Sequence, residues 1–217
     1  MCGRIVQKTP SRLIAANFGF DSDIADNQPR YNIPPSSSIL AVRADPLMRL
    51  VYLKWGLIPS WSKDSKIGFK LSNARAETIS EKPSFRSAYR LRRCLIPIDG
   101  FYEWKAEGDK KQPYYIQQPG GDVFFLAGLW EKWTSPENQL VESCTVITTA
   151  SKGEMSEIHN RMPVVVPDKS HRLWLCDNVE DERQSVIQEA PSDFTFIKVN
   201  PRVNSTKVDD AGCIIEV

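Results

Sequence analysis

The sequence predicts a single α+β domain that spans residues 1–217, and three observations support this fold class. A length of 217 residues suits one sizeable hydrophobic core. Short runs with strand composition outnumber helical segments, and the helical segments fall irregularly among them instead of alternating with them. No repeat, low-complexity tract or long linker divides the chain.

Predicted strands occupy much of the chain after residue 38. The segments rich in β-branched and aromatic residues are 39–42, 50–55, 94–98, 101–105, 114–117, 123–130, 144–149, 164–166 and 194–199. Glu107-Gly108-Asp109 predicts a turn between two of these strands, and the Pro- and Ser-rich segment 27–38 predicts a loop.

Helices are predicted at four places. Thr9-Pro10-Ser11, followed by Leu13, Ile14 and Phe18, is typical of a capped helix with proline in its first turn. Further helices are predicted near residues 80–90, 168–176 and 179–190, and Asp168 is the predicted N-cap of the helix over 168–176.

The composition is that of an ordinary globular protein, and we expect it in the cytoplasm with no membrane partner. No apolar run approaches the ~20 residues of a membrane span, and no signal peptide precedes Cys2. The five cysteines are scattered and form no Cys-x-x-Cys pair, which argues against a disulfide framework or a zinc site. The four after Cys2 are expected to be inert core residues, namely Cys94, Cys144, Cys176 and Cys213.

The charge is unevenly distributed, although the net charge is only +1. Residues 1–108 carry 17 Lys and Arg against 10 Asp and Glu, whereas residues 109–217 carry 11 against 17. Such an asymmetry can build one basic face, as a nucleic-acid-binding protein needs. Two solvated surfaces that intermingle in the fold would explain it equally well.

The second residue, Cys2, becomes unusually reactive once Met1 is removed. It then carries both a free α-amine and a free thiol. An α-amine titrates near ~7.8 and a lysine amine near ~10.4, so the α-amine is the better nucleophile at neutral pH. The pair forms a 1,2-aminothiol, which condenses with an aldehyde into a five-membered thiazolidine ring. An early cysteine can also be an accident of the translation start.

Three further segments concentrate polar or reactive side chains. In Asn73-Ala74-Arg75-Ala76-Glu77, side chains at i and i+2 would share one face of an extended chain. In Gly100-Phe101-Tyr102-Glu103-Trp104, aromatic neighbours would raise the pKa of a carboxyl group by desolvation. His159 lies two residues before Arg161. Each segment alone also fits a structural role, such as a surface strand, a turn or a core histidine.

Together with Cys2, these segments resemble the SOS response-associated peptidase family, whose members process abasic sites and crosslink themselves to DNA. The matching stretches are ordered along nearly the whole chain: Cys2-Gly3-Arg4, Arg30-Tyr31-Asn32, Trp55-Gly56-Leu57-Ile58-Pro59-Ser60-Trp61, Asn73-Ala74-Arg75-Ala76-Glu77-Thr78, Asp99-Gly100-Phe101-Tyr102-Glu103-Trp104 and His159-Asn160-Arg161-Met162-Pro163. The resemblance implies a curved, barrel-like, mostly antiparallel β-sheet with peripheral helices.

The resemblance also implies a mechanism that needs no metal and no cofactor. The α-amine of Cys2 would form a Schiff base with the aldehyde of an abasic site, and its thiolate would then close the thiazolidine. Asn73 would hold the reacting terminus or the sugar, and Glu103 would shuttle protons. His159 would act as an acid or base at the sugar oxygen and help to reverse the linkage.

The implied partner is single-stranded DNA that contains abasic sites, including junctions with double-stranded DNA. Arg4, Arg75 and Arg161 would bind phosphates. Trp61 and Phe69 would stack on bases or separate strands, unless they belong to the core. We expect a monomer that associates with the nucleoid when it acts on DNA.

Two other function classes stay open at this point. An N-terminal-nucleophile amidohydrolase or peptidase would use the same amine and thiol on an amide bond. A non-enzymatic reader of modified or single-stranded DNA would bind without Cys2 chemistry. The family name also implies autoproteolytic removal of residues ahead of Cys2, and here only Met1 precedes it.

Overall fold

The computed structural model describes residues 2–44, 47–176 and 179–217. The strands of these ranges are β1 (Ile5–Gln7), β2 (Arg30–Ile33), β3 (Ser38–Ala44), β4 (Met48–Trp55), β5 (Asn73–Arg75), β6 (Arg93–Ile98), β7 (Gly100–Glu107), β8 (Lys110–Gln117), β9 (Phe124–Thr134), β10 (Leu140–Ala150), β11 (Arg161–Pro163), β12 (Val165–Val166) and β13 (Thr195–Lys198). The α-helices are α1 (Ser11–Phe18), α2 (Arg86–Leu91), α3 (His171–Cys176) and α4 (Glu180–Gln188).

Five strands close into a barrel in the order β10, β4, β3, β6 and β9, because β9 also pairs with β10. The pairing of β10 with β4 is parallel, and the other pairings around the barrel are antiparallel. Strands β5 and β11 extend this sheet from β10, and β12 extends it from β9. The prediction of an α+β fold with a curved, barrel-like, mostly antiparallel sheet is confirmed.

A second sheet has the strand order β13, β8, β7, β1 and β2, and its pairings are antiparallel. A buried amide joins this sheet to the barrel. Nε2 of Gln7 on β1 donates to the carbonyl oxygens of Leu40 and Pro97 at 3.0 and 2.7 Å, and the Leu40 N–H donates to Oε1 of Gln7 at 2.9 Å. The first strand is thereby fixed to two barrel strands.

Alternate residues of the barrel strands enter different parts of the core, as the pleat of a strand requires. On β3, Leu40 and Val42 pack in a cluster with the helices. Ile39 and Ala41 belong to the cluster shared with the second sheet, which also contains Cys2. The start of the chain therefore lies inside packed hydrophobic surface.

The predicted strands and the turn at 107–109 are confirmed, but four strands within the described ranges were missed. These are β1, β2, β5 and β11, all of four residues or fewer. The prediction of a loop over 27–38 is wrong for Arg30–Ile33, which forms β2. Asp209, distant in sequence, stabilises this strand because its carboxylate accepts from the N–H groups of Tyr31 and Asn32 at 2.5 and 2.8 Å.

The predicted helices exist, although their ends differ from expectation. Pro10 occupies the N-cap position of α1 and provides no side-chain cap. Asn27 and Asp26 supply the caps instead, accepting from the N–H groups of Ser11 and Arg12 at 2.7 and 3.0 Å. Asp168 is not an N-cap. It begins a 3-10 turn over Asp168–Ser170 whose N-cap position is Pro167.

The prediction that four cysteines are core residues is wrong for one of them. Cys94, Cys144 and Cys213 are buried, whereas Cys176 is exposed at the end of α3. The short helix ends there, so its last residue lies outside the cluster that buries Trp174 and Leu175.

Gly100 on β7 allows the close approach of β8. A Cβ atom at Gly100 would lie 2.4 Å from the ring of Tyr115 and 2.7 Å from the carbonyl oxygen of Ile116. We expect Gly100→Ala to lower the free energy of unfolding by ~1–3 kcal/mol through overpacking, as measured by urea denaturation. Ala106→Val adds bulk at the exposed end of the same strand and should change the free energy of unfolding by less than ~0.5 kcal/mol. Equal effects would contradict the steric argument.

Candidate active site

Cys2 is fully buried at the start of the chain. Antiparallel pairing sets Ile5 of β1 opposite Phe101 of β7, and the Tyr102 N–H donates to the carbonyl oxygen of Arg4 at 3.0 Å. This register directs the residues before Ile5 along β7 towards Glu103. Arg4 is thus bonded to β7, and Cys2 is enclosed two residues before it.

Asn73 fixes Cys2 from the barrel side. The short strand β5 runs parallel to β10, with Asn73 beside Val146. Nδ2 of Asn73 donates to the carbonyl oxygen of Cys2 at 2.8 Å. The Oδ1 atom of Asn73 is buried and has no hydrogen-bond partner among the described residues, so it can accept a bond from a ligand or from a reacting group nearby.

Glu103 and His159 lie next to each other at the same place. The Glu103 side chain is buried, and its Oε1 is 4.0 Å from Nδ1 of His159. The same Nδ1 is 3.0 Å from the N atom and 3.1 Å from the carbonyl oxygen of Arg161. The ring accepts from the N–H when Nδ1 is bare and donates to the oxygen when Nδ1 carries a proton. His159 therefore has a partner in either protonation state.

Burial dominates the titration of both central groups. It raises the pKa of the Cys2 thiol far above its usual range; the Glu103 carboxylate adds to this rise, and the N–H of Arg4 opposes it. Burial also raises the pKa of Glu103, and the charge of His159 opposes this shift. The thiol is thus protonated at neutral pH, and the adjacent carboxyl group is a stronger base than an exposed glutamate.

An open cleft of ≈ 400 Å³ leads to this pair and is lined by Glu103, His159, Trp104, Lys111 and Asn204. The indole N–H of Trp104 donates to Oδ1 of Asn204 at 2.7 Å, so a residue near the C-terminus forms part of the wall. The volume is within the range of sites for small ligands or for one unit of a polymer. Glu103 and His159 are thus accessible from the cleft.

Arg4 is engaged within the protein. Its Nη1 donates to Oδ1 of Asn32 at 2.6 Å and to the carbonyl oxygen of Val203 at 2.9 Å. Its guanidinium carbon lies 5.8 Å from the centre of the Trp104 ring. Phosphate binding by Arg4 stays a prediction, and its visible role is to join the chain start to the C-terminal segment.

Arg161 and Arg75 have different surroundings. Nη1 and Nη2 of Arg161 donate to the two carboxylate oxygens of Glu77 at 2.7 and 3.0 Å, and Nη2 also donates to the carbonyl oxygen of Thr148 at 2.6 Å. Arg75 on β5 is exposed and has no ion-pair partner within the described ranges. The guanidinium of Arg75 is therefore available to a ligand, whereas that of Arg161 is largely occupied.

Trp61 and Phe69 lie on the loop between β4 and β5 and are 59% and 68% exposed, so they are not core residues. The backbones of Gly56 and Gly68 approach closely within this loop. A Cβ atom on either residue would lie within 2.8 Å of the other's carbonyl oxygen, so the approach needs glycine at both positions. The indole N–H of Trp133 donates to the carbonyl oxygen of Ser62 at 2.7 Å and fixes the loop to β9. The loop therefore presents two exposed aromatic rings on a segment that leads directly into the strand of Asn73.

Residues that support the site were not assigned by sequence reasoning. The buried amide Nδ2 of Asn32 lies 3.1, 3.0 and 2.6 Å from the carbonyl oxygens of Val203, Ser205 and Val208. Asn32 thus holds the C-terminal segment that borders the cleft. The sequence signal for Asn32 was its place in the stretch Arg30-Tyr31-Asn32. Its hydrogen-bond acceptors, however, lie more than 170 residues away in the sequence.

The described ranges contain no group of three or more His, Cys, Asp and Glu side chains arranged to hold a metal ion. Nor does any helix in them combine the length and apolar character needed to cross a membrane.

Comparisons with known proteins place this geometry in a family. A family model described as SOS response associated peptidase (SRAP) matches residues 1–206. The chain is 42% identical over 214 residues to abasic site processing protein YoqW of Bacillus subtilis, in a match that covers 95% of this chain and 96% of the relative. It is 31% identical over 230 residues to abasic site processing protein HMCES of Xenopus tropicalis, in a match that covers 91% of this chain and 69% of that relative.

Solved structures show the same architecture. A protein from Bacteroides thetaiotaomicron superimposes with a TM-score of 0.86 at 25% identity, with full coverage of both chains. A phage-related protein of Bordetella bronchiseptica superimposes with a TM-score of 0.74 at 28% identity, covering 92% of this chain and 94% of that one. On the match over residues 1–206 and on the identity of 42% to a relative that is covered to 96% of its length, the chain belongs to the SOS response associated peptidase (SRAP) family.

Proposed function

We propose that this protein processes abasic sites in single-stranded DNA by forming a covalent thiazolidine crosslink through Cys2 after Met1 is removed. The observation that carries the proposal is the position of Cys2, buried where the chain starts and bonded to Asn73, close to the Glu103–His159 pair. The names of the relatives, abasic site processing proteins, support the substrate class.

The reaction proceeds in two steps that balance without an oxidant or a metal. The neutral α-amine of Cys2 attacks the C1′ aldehyde of the ring-opened sugar, and loss of one water gives an imine. The thiol then adds across the C=N bond, forming a C–S bond while its proton is transferred to the nitrogen. The amine reacts first, because the imine that it forms provides the C=N bond to which the thiol adds. One residue supplies both nucleophiles, so ring closure has a high effective molarity.

Glu103 and His159 divide the proton transfers. Glu103 accepts a proton from the attacking amine or thiol and returns one to the departing hydroxyl group, a role that its raised pKa favours. His159 assists at the sugar oxygen during ring opening and during reversal of the crosslink. Asn73 holds the backbone of Cys2, the residue that carries both nucleophiles.

The DNA strand would follow the exposed groups around the cleft. Arg75 is the foremost candidate for a phosphate contact, because its guanidinium is exposed. Arg4 and Arg161 remain candidates for phosphate contacts through the guanidinium N–H groups that have no acceptor among the residues that the structure describes. Trp61 and Phe69 would stack on bases or on the end of a duplex at a junction. We propose a monomer that acts on chromosomal DNA in the cytoplasm and also removes residues ahead of Cys2 by autoproteolysis.

Cys2→Ala should abolish the crosslink that survives denaturation. With an oligonucleotide containing an abasic site, the wild-type mass should rise by the mass of the DNA less one water, because condensation releases one water. The variant keeps an α-amine after Met1 removal and should form only an imine that borohydride can trap. Intact mass spectrometry with and without borohydride measures both species.

A matched control for this experiment is Cys176→Ala, which removes an exposed thiol on α3. Its adduct yield should equal that of the wild type. An unchanged yield of denaturation-resistant adduct in Cys2→Ala would overturn the mechanism. Affinity without any mass increase in the trimmed wild type would favour a non-covalent DNA reader, and turnover of an amide substrate would favour an amidohydrolase.

Glu103→Gln should slow crosslinking and stabilise the fold at neutral pH. Removing the base should lower the single-turnover rate by ~100-fold or more. Because burial raises the pKa of Glu103 in the folded state, stability is lost as the pH rises from the unfolded-state pKa to the folded-state pKa, and no cost arises at acid pH where both states are protonated. The midpoint of unfolding should therefore rise by ~2–4 °C at pH 7.5, with a smaller gain at pH 4. A gain that grows towards acid pH would contradict this assignment.

The exposed groups should affect DNA affinity in two separable ways. Trp61→Ala or Phe69→Ala should each weaken binding by ~1–3 kcal/mol with little change in salt dependence, because stacking is not ionic. Arg75→Gln should reduce the slope of log K against log salt by ~0.7, the value for one lost phosphate contact on a single strand. Fluorescence anisotropy with a tetrahydrofuran abasic analogue, which has no aldehyde, measures binding alone. An unaltered slope in Arg75→Gln would remove this residue from the phosphate contacts.

A further inference from the structure

Glu77 makes contacts that the proposed reaction does not use. Its carboxylate accepts the bidentate bond from Arg161, at 2.7 and 3.0 Å, across 84 residues of sequence. The Arg161 hydrogen bonds and, in addition, the N–H of Ala150 lower the pKa of Glu77. Glu77 is therefore ionised at neutral pH and joins two segments that are far apart in the chain.

Strand β10 lies between these two segments. Thr148 of β10 is in register with Arg75 of β5 and with Pro163 of β11. Arg161 at the start of β11 also donates to the carbonyl oxygen of Thr148 at 2.6 Å. The Glu77–Arg161 ion pair thus links the end of the β5 segment to the beginning of β11 over the end of β10.

Both linked segments carry residues of the active site. Asn73, which bonds the Cys2 carbonyl oxygen, lies four residues before Glu77. His159 lies two residues before Arg161, and the Arg161 N–H points at Nδ1 of its ring at 3.0 Å. A shift of Arg161 would therefore move the His159 ring relative to Asn73 and Cys2, or change which ring nitrogen carries the proton.

We propose that Glu77 is a positioning residue that, through Arg161, sets the place and the tautomer of the His159 ring relative to Cys2. This inference rests on the proposed crosslinking function. The bidentate geometry restrains the guanidinium in one plane, which a single contact would not do. Such restraint should increase the reaction rate considerably, because small misplacements of reacting groups reduce rates by up to ~100-fold.

A different role for the same contact would be to shield Arg161 from DNA phosphates. The geometry favours positioning, because both terminal nitrogens of Arg161 are engaged and its side chain is only 15% exposed. The two roles predict opposite effects of removing the Glu77 charge. Loss of a shield would tighten DNA binding, whereas loss of a positioning contact would slow the reaction of bound DNA.

The test compares Glu77→Gln with Glu81→Gln, which removes a likewise exposed charge nearby that has no ion-pair partner in the described part of the chain. Single-turnover crosslinking is measured at saturating abasic DNA, and affinity is measured with the tetrahydrofuran analogue. We expect Glu77→Gln to slow crosslinking by ~10-fold or more, with Kd changed by less than ~2-fold. The control should match the wild type in both. An unchanged rate, or a loss confined to Kd, would overturn the proposal.

A second measurement does not depend on DNA. The chain contains two histidines, so the ring ¹⁵N signals of His159 and His171 can be resolved by NMR. In Glu77→Gln the His159 nitrogen shifts should change, while those of His171, packed among Phe18, Phe20 and Phe125, should not. Unchanged His159 signals would refute positioning. A wild type that forms no adduct would refute the proposed function alone, since the NMR result stands apart from it.

Discussion

The burial of Cys2 is the constraint on which the rest of the site depends. A chain terminus is usually solvated and mobile, whereas here the second residue is enclosed between the barrel and the second sheet. Keeping it there requires contacts from several directions. β7 pairs with the first strand, Gln7 joins that strand to the barrel, and the Asn73 amide bonds the Cys2 carbonyl oxygen.

Burial also determines the chemistry. A desolvated thiol is a poor source of thiolate, and in the mechanism that we propose Glu103 is the base beside it. The carboxyl group is desolvated by the same surroundings, which makes it more basic and also costs stability. His159 faces it at 4.0 Å with Nδ1 held at the Arg161 backbone. One physical cause, exclusion of water from the chain start, therefore accounts for the raised pKa values of both Cys2 and Glu103.

Much of this site was predictable because short stretches carry it. Cys2, Asn73, Glu103 and His159 were singled out from local sequence, and the structure brings them into one region. The contacts that hold them were not predictable. Glu77 and Arg161 are 84 residues apart, and Arg4 and Val203 are 199 apart. No periodicity or local propensity encodes such pairs, since they arise only after the sheets have formed.

The same distinction applies to the fold. Strands β3, β4, β6, β9 and β10 have apolar patterns strong enough to be recognised, and they are the five that close the barrel. Strand β2 lacks such a pattern, so composition alone predicted a loop. The N–H groups of Tyr31 and Asn32 are satisfied by Asp209, which is distant in sequence. Cys176 was predicted as core from residue type, yet the helix ends at that residue and leaves it exposed.

The meeting of the two ends of the chain has a consequence for biosynthesis. Val203 holds Arg4, and Asn204 completes the cleft wall through Trp104. Both leave the ribosome long after the first strand, so a nascent polypeptide cannot form these contacts until residues 203 and 204 have emerged. Under the crosslinking that we propose, capture of a damaged sugar would therefore await the synthesis and packing of this late segment.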